Sequence, residues 1–549
     1  MNYKSPLALI ATPAAFVAIN LIYLSVLFPV YSASPGFDQD PAYAYLFNGL
    51  LLIDGQGPWQ VDHPGTPLQL LTAAVILFAR GLFFIAGHSL SPDIVDDALA
   101  NPEPYLYVVS CVLMLLNAGA LYYLGLRVRR ATDSFMLACL CQASGLAFAM
   151  VTPKAAYVSP EALLIFATLC LLGQLAPLAF AAGGTSAATA SDADHGRCSE
   201  RWTGVICGLG LAAKVTFLPL FGLALLIRPA RKLLTCAGYA VVTLLVLLSP
   251  TIKNQERFFN WIWGIASHSG RHGTGEARVI PVSDLIQNFG ILLKWFPAFY
   301  AVMGALLGYL LVATLRDFAG RTTSHAAPSL RFPLVVLLAV LVQTLLVLKH
   351  PGAHYMVPIL PLAFAGLAWL LFRVDFDLRQ CDPSFGLSWR HLTLGIALVF
   401  GLYSVAPTIR QIDRIREQRA AQNSALAVID RETQRYPDAL VICAFRCTMP
   451  KYATAFGLIY APGLSTRPIV RDLLVNFYEY NFFVREFIAP GFKTQTLDAL
   501  SDEIARGRKI FLVTPRDYPD LAVFDLKKVV ATPELTLYEV IGIRSGNPG

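Results

Sequence analysis

Two carboxylates, Asp38 and Asp40, stand at i and i+2 before a proline in residues 37–46, FDQDPAYAYL. A carboxylate held within about 3 Å of a hydroxyl can take its proton as a new bond forms, which is general-base work worth roughly 10² to 10⁴ in rate. Two acids at this spacing can also bind a divalent ion, although no histidine and cysteine cluster accompanies them, and no cofactor is required by the sequence. Pro41 can begin a helix. Asp40 stands where its N-cap belongs, with Tyr43, Phe47 and Leu50 on one face. A plainer reading makes Asp40 a helix cap and Asp38 a solvated charge. Against it stands the company of the pair, because Asp54 follows and Asp62, His63, Pro64 and Gly65 close the same loop. A rigid HPG turn can fold the loop back so that both acidic ends face one cavity.

Cationic candidates lie elsewhere. HSGRHGTGE, residues 268–276, has glycines that let backbone amides approach an anion, with Arg271 the first choice and His272 the second. An exposed loop with incidental charge would look the same. Lys349, His350 and His354 fall in KHPGAH at a helix end, where snorkelling alone can account for the lysine. Lys214 differs, because GLAAKVTF buries it in an apolar run. An intramembrane lysine is a functional candidate by default, and pairing with an acid is its structural alternative. Glu161 follows YVSP at the start of an apolar run, where an acid is also favoured by the helix dipole.

These residues need a frame, and the totals say what kind. The 549 residues are 56% hydrophobic and 14% charged, with mean hydropathy +0.55, whereas soluble proteins carry roughly 25% charged residues. The chain therefore reads as an α-helical polytopic membrane protein. Residues 7–30 form a first span that is retained rather than cleaved. Further runs occur at about 103–126, 134–151, 161–183, 233–250, 291–315, 331–348, 355–373 and 392–407, for roughly 9 to 13 crossings in all. The net charge of +7 sits in short clusters such as RVRR, RPARK and RDFAGR, which set topology and do not form the aromatic-laced patch that nucleic acid needs.

With basic clusters inside, the acidic loop 31–65, the 251–290 loop and everything after about 408 fall outside the cytoplasm. Runs 66–87 and 203–228 resist this scheme. Each must cross an even number of times, which predicts broken, re-entrant or paired short helices around a cavity. The chain divides into residues 1–407, a membrane domain with the loop 31–65, and residues 408–549, a small α/β domain of about 140 residues. In the latter, residues 410–435 read as helix, 439–445, 509–515, 521–526 and 535–542 as strands, and 497–507 as helix. Cys443 and Cys447 lie close together there and can form a disulfide in an oxidising compartment.

The succession of a first span, an outer loop with DxD-like acids and a tyrosine-bearing helix, an HPG turn and many further spans resembles the C-type (GT-C) glycosyltransferases. It is most similar to protein O-mannosyltransferases and lipid A aminoarabinose transferases. KHPGAHYMVPILPLAFAGL, residues 349–367, is similar to their late motif of a basic residue, an aromatic and a PxLP-type helix. The chain departs from the pattern at Gln39 and Pro41, which leaves the choice between Asp38 and Asp40 open, with Asp40 favoured by its spacing to Tyr43.

The resemblance, which covers about residues 7–407, implies an inverting hexosyl- or pentosyltransferase. It would move a sugar from a polyprenyl-phosphate donor to a glycan, lipid or protein acceptor at the outer face of a bacterial inner membrane. A first-loop aspartate would be the base. Arg271, His272, Lys349, His350, His354 and Lys214 are then candidates for the donor phosphate. Glu161, Tyr43, Asp62 and His63 are candidates for the acceptor or a secondary role. The C-terminal domain would cover the outer cavity or select acceptors. The rivals are a flippase for lipid-linked saccharides, built on broken helices around a midplane site, and a polysaccharide ligase or polymerase.

Overall fold

The structure is a computed structural model that describes residues 6–27, 39–61, 65–181, 199–268, 282–318, 330–349, 351–381, 389–444, 449–481, 486–488, 494–495, 497–515, 521 and 523–544. The chain falls into two compact units, one of residues 1–21, 61–68 and 111–409 and the other of residues 22–60, 69–110 and 410–549. Eight helices among the described residues are long and apolar enough to cross a membrane. They are Leu7–Val26, Thr66–Ile85, Pro102–Thr132, Pro160–Ala179, Ala230–Ile265, Pro297–Arg316, Arg331–Lys349 and Ala353–Leu378, with shorter apolar helices at Phe135–Gly145 and Val215–Leu226.

In the first unit, Leu245, Val246, Leu311, Leu315, Leu334 and Leu345 are exposed. So much apolar surface is untenable in water and ordinary against lipid tails. The chain is a multi-pass membrane protein. Its interior is stitched by polar side chains whose alternatives in lipid would be unpaired. Gln142 donates to the carbonyls of Leu9 and Leu121 at 3.0 and 3.2 Å. Asn117, on the Pro102–Thr132 helix, donates to Ala155 and Ala162 at 2.9 and 3.1 Å and so clamps the turn that leads to Glu161.

The second unit is built on a seven-stranded sheet in the order β4-β3-β2-β1-β5-β7-β6. The strands are β1 Leu440–Ala444, β2 Phe477–Asn481, β3 Glu486–Ile488, β4 Thr494–Gln495, β5 Ile510–Pro515, β6 Phe524–Ala531 and β7 Leu535–Ile543. β1 is parallel to β2, with Val441 opposite Phe477, and to β5, with Leu440 opposite Ile510, while the remaining pairs are antiparallel. Central parallel strands are covered on both faces. Accordingly Leu440, Ile442, Ile510 and Leu512 join Leu500, Phe524 and Val540 in one core. Cys443 on β1 is disulfide-bonded, and Cys447 lies outside the described residues.

The first-loop helix Ala44–Ile53 belongs to this unit and packs on the helix Pro450–Ile459. A Cβ at Gly457 would meet the Phe47 ring at 2.7 Å and the Tyr43 Cβ at 3.1 Å. Buried Asn48 fixes the contact, donating to the Tyr460 carbonyl at 2.7 Å and accepting the amides of Trp59 and Gln60 at 2.7 and 2.9 Å. Gly457→Val should therefore lower stability by roughly 1 to 3 kcal/mol through overpacking. Thermal unfolding in detergent checks this, and an unchanged midpoint would show that the two helices part at no cost.

Three expectations need correction. Residues 66–87 are not broken, because Thr66–Ile85 is one continuous helix. Arg80, a charge within this apolar helix, donates from Nη2 to the carbonyls of Ser91 and Pro92 at 2.8 and 3.0 Å. The 251–290 stretch is not a plain loop, since helices Gln255–Ser267 and Val282–Trp295 occupy both ends of it. The last apolar run and the charged 410–435 segment are one helix, Trp389–Thr433. Run 203–228 is broken as expected, into Glu200–Ala213, Val215–Phe217, Leu218–Phe221 and Gly222–Leu226.

Candidate functional site

The break in run 203–228 falls at Lys214. Its backbone is extended, with φ −165° and ψ 134°, between the helix Glu200–Ala213 and the turn that follows. The carbonyl freed beside it is taken up from the first loop, where the Gly65 amide donates to the Ala213 carbonyl at 3.1 Å. Gly65 has φ +56°, a region costly for residues with a Cβ. The end of the HPG turn is thus tied to the backbone next to Lys214.

Lys214 is buried, and its Nζ donates to Glu161 Oε1 at 2.7 Å. It also lies 4.8 Å from the centroid of the Tyr355 ring, an attraction that grows when the cation is desolvated. The His354 ring lies against the same ring, tilted by 44° with centroids 4.0 Å apart. The backbone of Tyr355 is held by Gln343, whose amide donates to its carbonyl at 2.7 Å. Lys154 and His354 also act electrostatically on Glu161, and Lys154 lies 4.8 Å from the Tyr157 ring. One lysine thus pairs with the carboxylate, and a second lysine and a histidine lie near enough to act on it. Immediately before this helix the Ser159 hydroxyl is fully buried, with no hydrogen-bond partner among the described residues.

Such a cluster carries at least one positive charge in excess. The excess lies on half-buried Lys154, since buried Lys214 is paired with Glu161, and stripping the remaining water from it without a counter-charge would cost free energy. An anionic group, cradled by the amide end of the helix Pro160–Ala179, would remove that cost. A phosphate monoester or diester has the charge and the acceptor oxygens for it.

In the second unit, Asp40 is exposed and has extended backbone, φ −110° and ψ 120°, just ahead of the helix Ala44–Ile53. Tyr43, Phe47 and Leu50 are buried, as the shared face requires. The Tyr43 hydroxyl donates to Glu103 Oε1 at 2.5 Å. Burial, reinforced by that carboxylate, pushes the phenol well above its ordinary value and keeps it a donor. Asp54 ends the helix and pairs with Arg467.

Of the sequence candidates, the structure brings Lys214, Glu161 and His354 together. The Lys349 ammonium donates to the Ile265 carbonyl. Asp38, Asp62, His63, Arg271, His272 and His350 lie outside the described residues. Among the described residues no group of three or more His, Cys, Asp or Glu could hold a metal ion. Sequence reasoning missed Lys154, Tyr355, Glu103 and Arg467. Lys154 follows a proline in a turn and carries no pattern, whereas Tyr355 sits inside the late motif and could have been named from it.

No protein-family model matches the chain, and no curated protein matches it in sequence. Solved structures do match it. The crystal structure of ArnT from Cupriavidus metallidurans, bound to undecaprenyl phosphate, is 13% identical and aligns with a TM-score of 0.51 over 96% of this chain and 97% of that one. The Archaeoglobus fulgidus oligosaccharyltransferase tethered to an acceptor peptide is 13% identical, with a TM-score of 0.43 over 92% of this chain and 69% of that one. The likeness to ArnT is one of fold. It extends over nearly the whole chain, and the fold is the C-type glycosyltransferase fold expected from the sequence.

Proposed function

We propose that the chain is a membrane glycosyltransferase that takes a sugar from a polyprenyl-phosphate donor and passes it to an acceptor hydroxyl or phosphate. One observation carries the reading: a buried Lys214–Glu161 pair at a helix break in an apolar unit, with half-buried Lys154 and His354 beside the same carboxylate. A lipid phosphate is the anion that can reach such a place from the bilayer. The ArnT structure of the same fold holds undecaprenyl phosphate, which supports the assignment.

In this reading the cationic cluster binds the donor phosphate and stabilises the charge that develops on it as the anomeric bond breaks. Glu161 holds the Lys214 side chain in place through their hydrogen-bonded contact. A first-loop aspartate, Asp40 or its neighbour Asp38, takes the acceptor proton as the new glycosidic bond forms, with inversion at the anomeric carbon. Asp40 is accessible to an acceptor and stands at the start of a helix anchored along its length. The first-loop unit and the sugar-transfer chemistry belong on the outer side of an inner membrane.

The test is transfer from polyprenyl-phosphate hexose and pentose donors by purified protein in detergent, read as release of polyprenyl phosphate. Release that depends on an added acceptor is expected. A second reading, a flippase for lipid-linked saccharides, is favoured by the charged pair at a broken helix, a feature of transporters. Translocation of donor in liposomes with no release of polyprenyl phosphate would select it instead.

A further inference from the structure

The first loop, residues 91–103 and the C-terminal domain meet at a feature no catalytic reading uses. Arg467 caps the short helix Pro468–Leu473. Its Nη1 donates to Asp96 Oδ1 at 2.7 Å and to Asp93 Oδ2 at 3.1 Å, and its Nη2 donates to Asp54 Oδ1 at 2.5 Å. The side chain is 18% exposed. Asp54 is the last residue of the corner after Ala44–Ile53, and Asp93 caps the helix Ile94–Ala100 by accepting the amides of Val95 and Asp96. One cation therefore joins two acidic corners to the C-terminal domain. Without it three carboxylates would be left close together, and a lysine ammonium cannot reproduce the planar fork.

The electrostatics agree with a permanently charged tie. Burial works against it, yet the hydrogen bonds it donates to the three carboxylates raise the guanidinium further above its ordinary value. Burial also opposes ionisation of Asp93, but the Asp96 amide and Arg467 hold that carboxyl below its ordinary range. Around the tie, Gln56 donates to Asp54 Oδ2 at 2.7 Å, and a Cβ on Gly463 would collide with Gln56.

We propose that Arg467 is a positioning residue for sugar transfer, holding the helix Ala44–Ile53 to the C-terminal domain at the end opposite Asp40 and so fixing the direction in which the first-loop carboxylate acts. This rests on the glycosyltransferase reading above. Asn48 and Gly457 anchor the middle of that helix, Tyr43 anchors its start, and Arg467 anchors its finish. The C-terminal domain is then a working part of the transfer machinery and more than a cover or an acceptor filter.

The experiment compares wild type with Arg467→Ala, Arg467→Lys and Asp96→Asn by hydrogen exchange and by kinetics. In Arg467→Ala, amides of residues 44–53 and 94–100 should exchange faster. kcat at saturating donor should fall about 100-fold, the scale of an angstrom-sized misplacement of a catalytic group. Donor KM should change little. Arg467→Lys should recover part of the rate, and Asp96→Asn, which leaves the Asp54 contact and any folding defect aside, should lose about tenfold. Unchanged exchange in Arg467→Ala, or faster exchange with wild-type kcat, overturns the proposal. Absence of transfer by the wild type is a separate result, which removes the glycosyltransferase reading and the positioning role with it while exchange still reports whether the tie exists.

Discussion

Replacing Lys214 with methionine should do two separable kinds of damage. Glu161 would be left buried opposite a neutral side chain, and breaking a buried ion pair from one side costs roughly 3 to 5 kcal/mol. Turnover should also fall to background, because the phosphate loses its innermost cation. Removing both charges separates the effects. Replacing a buried pair by apolar groups of similar volume is often neutral or stabilising by about 1 to 4 kcal/mol, so Lys214→Met with Glu161→Leu should restore the unfolding midpoint without restoring transfer. Recovery of both in the double variant would show that the pair is structural only and that the donor binds elsewhere.

The second large effect belongs to the first loop. Asp40→Asn keeps the shape and removes the proton acceptor, so kcat should drop by roughly 10² to 10⁴ with donor KM nearly unchanged. Asp38→Asn is the necessary companion, since the two carboxylates are two residues apart and the assignment between them is the proposal under test. The variant carrying the base should be slow with a hydroxyl acceptor and much less affected with an acceptor that is already anionic. Wild-type rates in both variants would remove the aspartate base from the mechanism.

The membrane class, the apolar runs and the C-type fold were legible because composition and periodicity act over many residues at once. Lys214 stood out for the same reason, one charge against a run of apolar neighbours. Its partner Glu161 was named, but only as a separate acid, because the two are far apart in the chain and meet through packing. The helix Thr66–Ile85 was misread by a parity argument, and Arg80 within it needs no break. The side chain is satisfied by carbonyls eleven and twelve residues away, which no local pattern announces.

In the second unit β1, β5 and β7 were found, whereas the strand expected at 521–526 caught only the first three residues of β6, Phe524–Ala531. β2 to β4 were missed because their residues, FYEYN, EFI and TQ, alternate weakly and are short. The grouping of the first loop with residues 410–549 was invisible for a physical reason. It rests on a glycine that admits an aromatic ring, an asparagine that ties three backbone groups, and an arginine in an ordinary-looking STRP turn. None of these has a sequence signature, since each acts through contacts that exist only after folding.

The central claim is that the positive charge beside Glu161, on buried Lys214 and half-buried Lys154, is a receptor for a lipid phosphate. Titrating purified wild-type protein and the Lys214→Met/Glu161→Leu variant with undecaprenyl phosphate, and in parallel with the uncharged polyprenol of the same length, tests it most directly. The account predicts that the wild type binds the phosphate at least tenfold more tightly than the alcohol, about 1.4 kcal/mol, and that the folded double variant does not discriminate between them. Equal binding of phosphate and alcohol by the wild type, or undiminished preference in the double variant, would contradict it.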